Sequence, residues 1–171
     1  MEDILDRNLR GMTEAVRRNE ITSVDLVQGF LDRIEKVNSS LNAVVSINTE
    51  IALKLAAKAD SDLKEGIVHG PLHGIPMTIK DSLDTKDMVT TWGTKGRETF
   101  RPGRDATSVA RLRDAGAILL GKTNTPEFTL SFQTDNLVYG KTNNPYNLEM
   151  TPGGSSGGAA ALIAANAIPF D

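Results

Sequence analysis

The residues of this chain best suited to chemistry stand between Thr151 and Ala165, where Thr-Pro-Gly-Gly-Ser-Ser-Gly-Gly runs straight into Ala-Ala-Ala-Leu-Ile-Ala-Ala. Gly153, Gly154, Gly157 and Gly158 can take positive φ and turn several backbone N–H groups into one concavity. The helix predicted by the alanine run adds the unpaired amides of its first turn and a partial positive charge. The hydroxyls of Ser155 and Ser156 therefore sit where an anion, or a developing negative charge, is favoured. A flexible Gly/Ser linker is the plain alternative, but linkers are seldom followed at once by an alanine-rich apolar helix. A phosphate-binding loop is another, yet the Gly-Lys-Ser/Thr ending of a P-loop is missing. Alone, the stretch predicts an anion or oxyanion site and nothing finer.

Lys80 is the second residue of interest. It closes the run Ile75 to Lys80, whose alternation predicts a strand with Ile75, Met77 and Ile79 on one face and Pro76, Thr78 and Lys80 on the other. Ligands in α/β sheets bind at strand ends. A lysine there is most often a solvated charge, but burial lowers its pKa and yields a neutral base. Such a base beside a serine hydroxyl is one way to make serine nucleophilic. His69 and His73 have the spacing of helical metal ligands, but Gly70, Pro71 and Gly74 break any helix there. Neither a metal nor a cofactor is expected.

These residues need a scaffold, and the composition supplies one. The chain has 171 residues, 39% hydrophobic and 24% charged, which describes a single soluble globular domain. With 22 acids against 19 bases the net charge is −3, so direct binding to nucleic acid is not expected. The absence of cysteine excludes disulfides, thiolate nucleophiles and Cys-based metal sites. No apolar leader opens the sequence, and its longest apolar run, Ala159 to Ala165, is far short of a membrane span. The default expectation is a cytoplasmic protein without a membrane partner, and assembly into a homo-oligomer stays open.

Residues 1–66 read as a mainly helical scaffold. Thr22 or Ser23 is the N-cap of a helix striped by Val27, Phe30, Leu31, Ile34 and Val37 and stopped at Asn38 to Ser40. Ala43 to Ile47 follows as a short strand. Ile51, Leu55 and Leu63 then mark a second helix, ended by Gly66. Residues 70–171 read as the start of an α/β core. The Ile75 to Lys80 strand leads through a polar loop to a helix capped by Asp105, with Val109 and Leu112 inward. Gly116 and the buried strand Ala117 to Leu120 follow. Strand, crossover, helix and strand make a βαβ unit, hence an α/β fold with a mixed, partly parallel sheet covered by helices. Ala167 to Asp171 reads as the entry to another strand.

Three separated segments carry a resemblance. Gly74-Ile75-Pro76-Met77-Thr78-Ile79-Lys80-Asp81, Gly121-Lys122-Thr123-Asn124 and Pro152-Gly153-Gly154-Ser155-Ser156-Gly157-Gly158 occur in the order seen in the amidase signature family. The likeness runs from about Thr22 to the last residue. It implies an amide hydrolase using a Ser–Ser–Lys triad and no metal, with a small-molecule amide as substrate. Lys80 matches the family's general base. Ser155 matches the bridging serine, which follows a cis peptide bond, so Gly154–Ser155 is expected to be cis. Gly153, Gly154 and Ser156 belong to the same substrate-facing loop.

The family's nucleophilic serine lies further on, in a Gly-Gly-Ser segment whose amides form the oxyanion hole, and this sequence reaches Asp171 before it. Neither Ser131 nor Ser156 matches that position. The expectation is therefore a C-terminally truncated member that holds base and relay but turns over almost nothing alone and exposes apolar surface at its cut end. A branch of the family, the A subunits of glutamyl-tRNA amidotransferases, hydrolyses glutamine and passes ammonia to a partner. That identity, and a non-catalytic remnant, are the competing readings.

Overall fold

The computed structural model describes residues 2–171. Helices α1 (Glu2–Leu5), α2 (Leu9–Arg17) and α3 (Ser23–Leu41) lead into strand β1 (Val44–Ile47) and helix α4 (Thr49–Lys64). Strand β2 (Pro76–Lys80), helix α5 (Thr107–Asp114), strand β3 (Ile118–Thr123) and helix α6 (Gly157–Ala164) follow. The sheet order is β1-β3-β2, with β2 and β3 parallel and β1 and β3 antiparallel. This is the mixed, partly parallel α/β sheet that the βαβ pattern predicts.

Helix α3 begins where its sequence says. The Thr22 hydroxyl accepts from Asp25 N at 3.0 Å, and Asp60 on α4 adds a carboxylate that accepts from Ser23 N at 2.6 Å and Val24 N at 3.1 Å. Both satisfy amides that a helix start leaves unpaired. The C-terminus differs from expectation. The helix runs through Asn38 to Leu41 and ends at Asn42, whose φ is 49°. Asn38 is not a stop; its side chain reaches forward, accepting from Ala43 N and Val44 N and donating to Val44 O at 2.8 to 2.9 Å. It ties helix to strand.

Helix α4 turns an alanine face inward. Ala52, Ala56 and Ala59 are buried, while Ile51 and Leu55 are 46% and 45% exposed. Small alanines let α4 lie close against α3 and β3, and the larger residues are displaced to a groove.

The sheet separates two apolar layers. Ile118 and Leu120 face Phe30, Ile34, Ala56 and Leu162 on one side, and Leu119 faces Met77, Ile79, Met88 and Val109 on the other. Ile75 belongs to the first layer, opposite Met77 and Ile79. It lies before the strand, in a turn where its N–H bonds Leu72 O, so the predicted alternation does not reach it. Strand β3 extends past the predicted Leu120 through Gly121, Lys122 and Thr123, all buried. A Cβ on Gly121 would lie 2.2 Å from Ser46 O; only glycine lets β1 come this close.

Two further expectations are corrected. Asp105 does not cap α5, whose N-cap is Ala106 without a side-chain bond. Its carboxylate instead accepts from Lys86 N at 2.6 Å, fastening the loop between β2 and α5. Residues 167–171 form no strand; they run beside β2, where Thr78 N bonds Phe170 O at 3.4 Å. Among the described residues no helix is long and apolar enough to cross a membrane.

Candidate functional site

The C-terminal end of β2 delivers Lys80 to the Gly/Ser turn before α6. The Lys80 ammonium donates to Ser155 Oγ at 2.7 Å and to Ser156 Oγ at 3.1 Å. The Gly154–Ser155 peptide is cis, and Gly153 has φ 92°. Burial pushes the Lys80 pKa below the usual lysine range, opposed by the nearby Asp171 carboxylate. Asp171 is itself pushed up by burial while accepting from Thr123 Oγ1 at 2.8 Å.

The turn is held from several sides. The Thr125 hydroxyl donates to Ser155 O at 3.1 Å. Gly154 lies against the backbone of the segment after β3, and a Cβ there would stand 2.7 Å from Ser131 O. Gly158 packs against the end of β3, where a Cβ would meet Asn124 N at 2.4 Å. The first amides of α6 are not free for an anion, contrary to the pattern drawn from the helix start. Gly157 N bonds Thr134 Oγ1 at 3.0 Å and Gly158 N bonds Asn124 O at 3.3 Å. These two amides are spent on internal order.

The loop-rich segment after β3 is organised by two buried asparagines. Asn136 donates to Asn124 Oδ1 at 2.7 Å and to Thr125 O at 2.8 Å. Asn124 donates to Gly140 O and to Thr142 Oγ1, both at 3.0 Å. A buried polar group is costly unless partnered, and this network partners each of these side chains.

Beside Lys80, on the neighbouring strand, is a lysine to which the sequence assigned no role. Lys122 is fully buried. Its ammonium donates to Leu83 O at 2.6 Å, Thr85 Oγ1 at 2.7 Å and Thr90 Oγ1 at 3.2 Å, and it lies 3.9 Å from Asp81 Oδ1. Burial lowers its pKa to about 8 against the pull of Asp81. Asp81, also buried, accepts from Thr91 N at 3.1 Å and Thr91 Oγ1 at 2.5 Å. Lys122 thus anchors the loop that follows Lys80. Its place directly after an apolar strand run was the signal available in the sequence.

The two histidines lie elsewhere. Their rings stack at 5.6 Å, with His69 Nε2 2.6 Å from Asp62 Oδ2 and His73 Nε2 3.0 Å from Ala59 O. Among the described residues no group of three or more His, Cys, Asp or Glu could hold a metal. A cavity of about 450 Å³ lined by Ile51, Leu55, Asp62, His69, Met88 and Leu119 includes neither Lys80 nor Ser155.

Comparison with known proteins gives the class to which the chain belongs. The profile of the Amidase family matches residues 25–171, and the chain belongs to that family. Among curated relatives, the A subunit of the glutamyl-tRNA(Gln) amidotransferase from Desulfatibacillum aliphaticivorans is 45% identical over 153 residues, covering 90% of this chain and 31% of the relative. The protein of the same name from Lachnospira eligens is 41% identical over 163 residues, covering 95% of this chain and 34% of its own length. The chain thus spans about a third of these relatives. Among solved structures, a fatty acid amide hydrolase superposes with a TM-score of 0.94 at 27% identity, covering 98% of this chain and 30% of the other. The native peptide amidase from Stenotrophomonas maltophilia superposes at 0.88 with 37% identity, covering 95% of this chain and 35% of the other.

Proposed function

We propose that this chain supplies the base and the proton relay of a hydrolase acting on carbon–nitrogen amide bonds, with Lys80 as base and Ser155 as relay. The observation that carries the reading is the 2.7 Å contact from Lys80 to Ser155 Oγ. It lies within the range needed for proton transfer, and Lys80's lowered pKa favours the neutral amine required of a base.

Neutral Lys80 takes the proton of Ser155, and Ser155 takes one from a nucleophilic hydroxyl as that oxygen bonds to the amide carbonyl carbon. The proton returns along the same path to the amide nitrogen, the carbon–nitrogen bond breaks and the amine leaves. Water, deprotonated by the relay, then cleaves the acyl ester and restores the hydroxyl. In the family this hydroxyl belongs to a serine, and neither Ser131 nor Ser156 matches its position. Gly153, Gly154 and Ser156 border the substrate. The substrate is a small amide, and the setting is the cytoplasm.

A second reading is favoured by the names of the curated relatives, which are A subunits of glutamyl-tRNA(Gln) amidotransferases. In that reading the amide is glutamine and the ammonia passes to a partner protein. Assaying the protein, expressed from its whole reading frame, against simple aryl and aliphatic amides and against glutamine separates the two. Amide hydrolysis lost in Lys80→Ala and in Ser155→Ala supports the base–relay assignment. Hydrolysis that survives both substitutions refutes it.

A further inference from the structure

The turn that carries Ser155 has both its ends on one buried side chain. Thr134 is 1% exposed. Its hydroxyl donates to Gly153 O at 2.9 Å, before the turn, and accepts from Gly157 N at 3.0 Å, after it. A hydroxyl has one hydrogen to give and lone pairs to receive, so a single oxygen serves both roles. No other side chain among the described hydrogen bonds spans the turn in this way. The fit is close: a Cβ on Gly157 would lie 2.2 Å from Thr134 Oγ1.

Thr134 is itself fixed. Its carbonyl accepts from Thr142 N at 2.9 Å, and the Thr142 hydroxyl donates to Asn42 O at 2.8 Å, at the C-cap of α3. The turn is therefore tied through Thr134 and Thr142 to the long helix of the scaffold. Asn124, which bonds Thr142 Oγ1, also receives Gly158 N through its carbonyl, bracing the following residue.

We infer that Thr134 is a positioning residue for the proton relay: its hydroxyl sets the span from Gly153 to Gly157 and so holds Ser155 Oγ in reach of Lys80. The inference rests on the reading of Lys80 and Ser155 as base and relay. The Thr134 hydroxyl bonds Gly153 O and Gly157 N rather than Lys80 or the Ser155 hydroxyl. Removing its hydroxyl leaves Gly157 N buried without a partner and frees Gly153 O, so the turn relaxes and the lysine–serine contact opens. A displacement near 1 Å in a catalytic constellation costs on the order of a hundredfold in rate.

The test compares Thr134→Val, which keeps the shape, with Thr134→Ser, which keeps the hydroxyl, in the protein expressed from its whole reading frame. Thr134→Val is expected to lower kcat about ten- to a hundredfold with KM changed less than about threefold, and Thr134→Ser to restore it. In a crystal structure of Thr134→Val the Lys80 Nζ to Ser155 Oγ distance is expected to exceed hydrogen-bond reach. An unchanged kcat, or an unchanged distance, overturns the inference. Should Thr134→Val not fold, Thr134→Ser and Thr134→Cys, which differ by one atom, give the same decision. Loss of turnover in Lys80→Ala with full turnover in Thr134→Val rejects the role of Thr134 while leaving the base–relay reading intact. If the unsubstituted protein hydrolyses no amide, that reading fails, and the crystallographic distance still decides whether Thr134 sets the turn.

Discussion

Lys80 and Ser155 stand 75 positions apart in sequence and 2.7 Å apart in space. One comes from the end of a central strand and the other from a turn braced against the end of the next strand. Their meeting is a property of the whole fold, since β2, β3 and α6 must all be in place. The site's behaviour is therefore expected to follow the packing beneath it as well as the residues that form it.

Gly158 gives one such dependence. A Cβ there would stand 2.4 Å from Asn124 N and 2.7 Å from Ala43 O, both backbone atoms. Gly158→Ala is expected to lower stability by about 1–3 kcal/mol through overpacking, read as a fall in the denaturation midpoint. Gly153→Ala is the contrast. It has open space around it but a φ of 92°, so its cost, about 1–2 kcal/mol, is conformational.

Lys122 gives a second. It is fully buried beside Asp81 and bonded to three oxygens of the loop after β2. Lys122→Met removes the buried charge 3.9 Å from Asp81 and leaves it only the pull of Arg97; breaking a buried pair costs about 3–5 kcal/mol. Urea denaturation of the variant at neutral pH is expected to show a loss of that order. A loss below about 0.5 kcal/mol, the range of an ordinary surface change, contradicts it.

The same lysine sets a pH dependence. Its pKa in the folded protein is about 8, against an ordinary value of 10.5. Between those values the unfolded chain binds more protons than the folded one, so this group makes stability rise with pH across the window. Below about pH 8 the lysine is charged in both states and its cost to the fold is fully present. Denaturation free energies measured from pH 8 to 10.5 are expected to carry this rising contribution in the unsubstituted protein and to lack it in Lys122→Met.

Much of this was legible in the sequence where the signal is local. The Thr22 cap, the Val27 to Ile34 stripe and the βαβ pattern depend on neighbours a few residues away, and the structure has them. The inward face of α4 is not legible from its larger apolar residues, since Ile51 and Leu55 are exposed while close helix packing selects Ala52, Ala56 and Ala59. The end of β3 was misread because a glycine and a lysine at 121 and 122 look like a loop. The partners that make Lys122 acceptable in a strand lie on the segment 83–90. Lys80 and the Gly/Ser turn are singled out by residue type and by the order of three motifs, and the structure brings them together. Thr134 and Thr125, which hold the turn, are not singled out, because their partners are set by tertiary contact.

The central claim is that Lys80 acts as a neutral base on Ser155. Its most direct test is the titration of the Lys80 amine itself, followed by NMR in protein labelled at the lysine ε-carbon, with Lys80→Arg identifying the resonance. The account predicts a midpoint below the ordinary lysine value of 10.5, lowered by burial. A midpoint at or above 10.5 would mean a lysine held as ammonium under working conditions, and would contradict its assignment as the base.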